Sequence, residues 1–131
     1  MTALRVPYFP VEPLLGEAAF MPFLPVTLIL GDKKLEASGL LDSGSTVNVL
    51  PFSLGEKLGA KWENQQNELK LTGNLANFEA KAIVLQGNVG NFDTVRLAFA
   101  WTKSNEVPLI FGQTNFFMAF RVCFFRAELY F

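Results

Sequence analysis

Asp42, Ser43 and Gly44 stand between an apolar pair, Leu40-Leu41, and a polar-to-apolar run, Ser45-Thr46-Val47. A carboxylate at such a strand-to-loop junction can serve as a general base toward water, provided that neighbouring donors hold its oxygens in place. Gly44 lets the chain fold tightly beside the carboxylate, so that a backbone N–H can reach it. Ser43 offers a hydroxyl to brace the loop, and Ser45 is placed to donate one to the outer oxygen of Asp42. That bond would favour the charged form and move the working pH range toward acid. On their own the three residues are turn formers, and an ordinary turn is the simpler account of them.

Composition removes most other chemistry. The chain has no His, so Ser-His-Asp and Cys-His triads cannot be built, and a zinc site would lack its usual imidazoles. Neither a metal nor a cofactor is expected. The single cysteine, Cys123, excludes an internal disulfide and fits a reducing compartment. Set in Val122-Cys123-Phe124-Phe125 with no base to activate it, it reads as buried filler. The formal charge of -1 advertises no basic surface for nucleic acid or an anionic membrane. The apolar stretches are strand-sized, well short of the roughly 18 residues of a membrane span. Pro7, Pro10 and Pro13 interrupt the run that a secretory signal would need. A cytoplasmic globular domain is the expectation, and with half of 131 residues hydrophobic its core is easily filled.

The elements that must position Asp42 are mostly short strands. Residues 1–23, rich in Pro, read as an extended arm packed on a domain that spans 24–131. Leu24–Leu30 and Lys33–Leu41 form a hairpin around Gly31-Asp32. Thr46–Leu50 is a further strand, and Pro51 opens a helix that Gly59 stops. Glu68–Thr72 and Phe78–Leu85 are two more strands, followed by a turn over Gly87, Asn88, Gly90 and Asn91. Asp93–Trp101 alternates, with Val95, Leu97, Phe99 and Trp101 on one face. Val107–Phe111 is a buried strand ending at Gly112. A helix around Thr114–Ala119 and a final strand or hairpin, Phe120–Phe131, follow. The pattern predicts a mainly β, closed or folded-over architecture. Trp62 and Trp101 are expected in its core, and Lys33 and Lys34 in a solvated turn.

About seventy residues after Asp42 comes Ile110-Phe111-Gly112, an apolar pair and a Gly at a strand end. With Leu40-Leu41-Asp42-Ser43-Gly44-Ser45-Thr46, this pair of motifs resembles the retropepsin-like aspartic protease family over roughly 24–125. The resemblance implies a closed, mainly β barrel with one or two short helices. It makes Asp42 the catalytic carboxylate, with Ser43, Gly44, Ser45, Ile110, Phe111 and Gly112 supporting the active-site loop. It also implies a flap, for which Leu69–Glu79 is the best candidate, with Thr72, Gly73 and Asn74 near its tip.

The chemistry of that family needs two carboxylates across one water. Asp32 and Asp93, the other Asp residues, lack a following Ser/Thr-Gly. The partner would therefore be Asp42 of a second subunit in a homodimer, acting on a peptide or unfolded protein. A second reading makes the chain a retropepsin-like module for dimerisation or peptide binding, with little hydrolysis. The intact Asp-Ser-Gly-Ser speaks for the first. A ligand-binding β-barrel unrelated to proteases would leave the motif pair unexplained.

Overall fold

Alternation of apolar and polar residues drives the first long hairpin. The structure, a computed structural model, describes residues 3–14, 17–71 and 77–131, and the side chains of all of these except residues 12–18. Within it β3 (Phe23–Leu30) and β4 (Lys33–Leu41) pair antiparallel from Phe23↔Leu40 to Leu30↔Lys33. Leu24, Val26 and Leu28 are buried while Pro25 is exposed, the period of two expected of a half-buried strand. Lys33 and Lys34 are exposed at its turn.

The chain then crosses itself. β5 (Asn48–Leu50) leads through Pro51 into α1 (Phe52–Lys57). The helix ends where Gly59 takes φ +84°, with Gly59 N–H donating to Glu56 at 2.9 Å and Ala60 N–H to Gly55 at 3.0 Å. These two bonds satisfy carbonyls that a helix end would otherwise leave open. After β6 (Glu68–Leu69), β7 (Ala80–Asn88) and β8 (Val95–Thr102) form a long antiparallel pair from Ala80↔Thr102 to Gly87↔Val95. β9 (Leu109–Phe111) inserts between β4, to which it is parallel, and β5, to which it is antiparallel. The strand order β3-β4-β9-β5-β8-β7 closes through a β3–β7 pairing into a six-stranded barrel, with β6 appended to β7. The fold is mainly β, as expected, with α2 (Phe116–Ala119) as the second short helix. Leu28, Leu50, Leu97, Trp101 and Phe111 fill the barrel, and Phe111 stacks on Phe116 of α2 with ring centroids 4.3 Å apart. Among the described residues no helix is long and apolar enough to cross a membrane.

Three expectations change and a fourth is narrowed. Residues 1–23 include a hairpin of β1 (Phe9–Leu14) and β2 (Glu17–Met21), paired from Phe9↔Met21. The C-terminal segment forms no regular strand but does form a tight hairpin, with Phe125 and Tyr130 paired by two backbone bonds. Leu129 at φ +60° breaks the extended run, and a short 3-10 turn occupies Arg126–Glu128. Its end also bonds to the N-terminal segment, with Val6 N–H donating to Phe131 at 2.7 Å and Tyr8 N–H to Leu129 at 2.8 Å. Cys123 is exposed rather than buried, because this segment runs over the surface and not through the core. Gly87 belongs to β7, and Gly90 supplies the turn.

Two of the glycines that leave no room for a side chain bear on β9 and the residue after it. A Cβ at Gly39 in β4 would overlap the Phe111 ring, and one at Gly112 would overlap the Val47 carbonyl oxygen and lie 2.7 Å from that of Ser45. Gly39→Ala is expected to cost about 1–3 kcal/mol, as overpacking does, read as a lower urea midpoint at unchanged slope. Gly112→Ala should cost more than Gly39→Ala in the same titration, because its obstacle is backbone that cannot rotate away.

Candidate active site

β4 and β9 end together, Leu41 beside Phe111, so Asp42 and Gly112 leave the sheet side by side. The Asp42 N–H still donates to the Phe111 carbonyl at 3.0 Å, the last rung before the loop. Ser45 N–H then donates to the Asp42 carbonyl at 3.1 Å, and Gly44 N–H to Asp42 Oδ1 at 2.9 Å. A side-chain oxygen bonded to the N–H two residues on is the turn that Asp favours. The turn and the held carboxylate, alternatives in the sequence, are one geometry. Asp42 is half-buried, and its Oδ2 has no hydrogen-bond partner among the described residues, yet no buried side-chain oxygen is left unpaired.

The bracing differs from the expected one in two places. Ser45 donates its hydroxyl to the Val47 carbonyl at 2.7 Å and not to Asp42, because the turn points it along its own strand. The expected basis for an acidic working range is thus missing. Ser43 is exposed and braces the loop through its carbonyl, which accepts from Gln113 Nε2.

The second motif meets the loop along its whole length. Ile110 is in register with Leu40 on one side and Val49 on the other. Beyond it, Gln113 N–H donates to Ser45 at 2.9 Å and Thr114 N–H to Thr46 at 2.8 Å. Phe111 anchors the strand in the core, and the bare Cα of Gly112 allows the two backbones to meet. Ser43, Gly44, Ser45, Ile110, Phe111 and Gly112 are thus gathered around Asp42. Thr72, Gly73 and Asn74 lie outside the described residues. Ahead of them β6 pairs antiparallel with β7, with Glu68↔Lys81 and Leu69↔Ala80 in register.

Asn48 was not singled out by sequence, nor was Asn115. Asn48 is fully buried, and its Oδ1 accepts from Gly112 N–H at 2.8 Å. The available signal was an amide in the otherwise apolar run Val47-Asn48-Val49-Leu50, since a buried polar group requires partners. Asp32 cannot join Asp42, because it precedes the nine-residue β4 that Asp42 follows, about 30 Å of strand at 3.3 Å per residue. Among the described residues no group of three or more His, Cys, Asp or Glu could hold a metal ion.

No family model matches the chain, and no curated protein is significantly similar to it in sequence. Solved structures do match. A retropepsin-like aspartic protease from Rickettsia conorii aligns over 91% of this chain and 80% of its own, with a TM-score of 0.59 at 12% identity. The EIAV protease, solved with the inhibitor HBY-793, aligns over 87% of this chain and 100% of its own, with a TM-score of 0.55 at 15% identity. The six-stranded barrel with its two short helices is the fold of the retropepsin-like aspartic proteases.

Proposed function

We propose that the chain is one subunit of a homodimeric aspartic endopeptidase that uses Asp42 of each subunit. The observation that carries this reading is the setting of Asp42. Its Oδ1 is braced by Gly44 N–H while Oδ2 takes no bond from the described residues, at the point where two parallel strands end together. A carboxylate so held can present one oxygen to a water. One Asp42 takes a proton from the water as it adds to the peptide carbonyl. The other, protonated, donates to the carbonyl oxygen. The proton taken from water then passes to the amide nitrogen as the C–N bond breaks, and a hydroxyl of the intermediate returns a proton to the second Asp42. Two such carboxyls close together share one proton, so one can act as base while the other acts as acid.

The unit that performs this is 24–131, with Ser43, Gly44, Ser45, Ile110, Phe111 and Gly112 holding the loop and residues around Thr72, Gly73 and Asn74 closing over an extended peptide or unfolded segment. The first 23 residues and the C-terminal segment would meet the second subunit. Phe9, Phe124 and Phe125 are exposed around the Val6–Tyr8 and Leu129–Phe131 pairing, and a site with one Asp42 is incomplete without that partner. An exposed free Cys123 supports a reducing compartment, the cytoplasm.

Incubation of wild type and Asp42→Ala with a denatured protein, from acidic to neutral pH, tests the reading. Wild type is expected to cleave and to be blocked by a transition-state inhibitor of aspartic proteases. Asp42→Ala should lose at least about a hundredfold in rate, the scale of general acid–base catalysis. Equal cleavage by both proteins, or none by either at high concentration, overturns it. Specific activity should also fall on dilution, tracking dimer dissociation in sedimentation; activity independent of concentration in a monomeric sample would refute the shared site.

A further inference from the structure

Two amides outside the motifs tie the Asp42 loop to the barrel. β5 begins at Asn48, in register with Phe99 of β8, so Arg96 and Ala98 lie ahead of it, where no strand covers that edge of β8 among the described residues. Asn115 fills the place. Its Oδ1 accepts from Ala98 N–H at 3.0 Å and its Nδ2 donates to the Arg96 carbonyl at 3.2 Å. One side chain thus stands in for a strand residue. Asn48 completes the link, because its Nδ2 donates to the Ala98 carbonyl and to Asn115 Oδ1, each at 3.0 Å, while its Oδ1 takes Gly112 N–H.

The backbone at Asn115 is unusual in a way that these bonds explain. It has φ +79° and ψ -65°, and Phe116 N–H donates across it to the Thr114 carbonyl at 3.1 Å. This is a γ-turn, a strained conformation for a residue with a Cβ. Glycine would enter it more easily, but glycine has no amide to offer β8. The turn immediately follows Gln113 and Thr114, whose N–H groups hold the carbonyls of Ser45 and Thr46.

We propose that Asn48 and Asn115 form a paired positioning unit that fixes the 112–114 segment against the Asp42 loop. This rests on the reading of Asp42 as catalytic. Asn48 sets where Gly112 sits as the chain leaves β9 beside the start of β5, and Asn115 sets the turn that aims Gln113 and Thr114 at the loop. Neither residue touches the reacting atoms. Both act through the backbone that carries Asp42, so their loss should slow the chemical step more than it weakens peptide binding.

The test uses Asn48→Asp and Asn115→Gly in the full chain. The first keeps the acceptor for Gly112 N–H but turns an oxygen toward Ala98 and Asn115. The second keeps a backbone suited to positive φ but removes the amide. Hydrogen exchange at Gln113 and Thr114 is read against the β7–β8 ladder, which reports global folding, alongside kcat and KM. Both variants should keep ladder protection and lose it at Gln113 and Thr114. Their kcat should fall about a hundredfold, the effect of a misplacement on the order of 1 Å, with KM within about twofold because the binding surface is untouched. The double variant should be little worse than either single one, as expected of one network.

Unchanged protection at Gln113 and Thr114 in a folded variant overturns the proposal without reference to activity. If Asn48→Asp loses the ladder as well, Asn115→Gly supplies the same readings. Full kcat in the variants, with cleavage abolished in Asp42→Ala, overturns the positioning role alone. Wild-type cleavage by Asp42→Ala overturns the catalytic reading instead.

Discussion

The insertion of β9 between β4 and β5 is the constraint from which the rest of the site follows. A strand that runs parallel to one neighbour and antiparallel to the other brings two distant loops to the same end of the sheet. There the segment after β4 and the segment after β9 must pass backbone against backbone. Such a crossing is tolerable only if a side chain is missing at the closest point and the polar groups find partners. Gly112 meets the first condition, and the bonds from Asp42, Gln113 and Thr114 N–H meet the second. Each bond contributes only about 1 kcal/mol net, but a buried donor left unpaired costs about 1–3 kcal/mol. The crossing is therefore specified more by what it forbids than by what it gains.

That arrangement also gives the carboxylate its character. Asp42 is engaged by its own backbone N–H, its own carbonyl and one side-chain oxygen, so the residue has little freedom while Oδ2 takes no bond from the described residues. A group fixed this way does not need reorganisation when charge shifts during a reaction. The bracing comes almost wholly from main-chain atoms. Ser45, the residue chemically best suited to assist, bonds to Val47 instead.

Aromatic packing supports the crossing from behind. Phe111 lies between Phe99 and Phe116, at 6.2 and 4.3 Å between centroids, so that β8, β9 and α2 share one apolar contact. Farther along β8, Phe52 of α1 stacks on Trp101 at 5.5 Å, and Trp62 meets both rings edge-on. Lys103 and Lys81 lie over Trp62 at 4.7 and 4.9 Å, covering with their stems an aromatic face that would otherwise meet water. Trp101 is thus core, as its place in an alternating strand implied, and Trp62 forms the margin of the same cluster.

Period-two patterning and turn residues made the β3–β4 hairpin, α1 and β8 legible from the sequence, because those signals are local. The two motifs around Asp42 and Gly112 were legible for a related reason: a braced carboxylate and a closely packed glycine each demand a residue type that little else can replace. The C-terminal segment was legible only in part, since a Phe-rich composition suits a strand and a surface-packed hairpin equally. A ladder partner from residues 6–8 decided between them. Asn48 and Asn115 were invisible for a deeper reason. An amide declares its role only through its partners, and theirs lie 50 to 67 and 17 to 67 positions away. The sequence by itself determined that a carboxylate would sit in a tight turn between strands. Only the tertiary structure decided what holds that turn, because its partners are brought together by the crossing of β9 and not by any spacing along the chain.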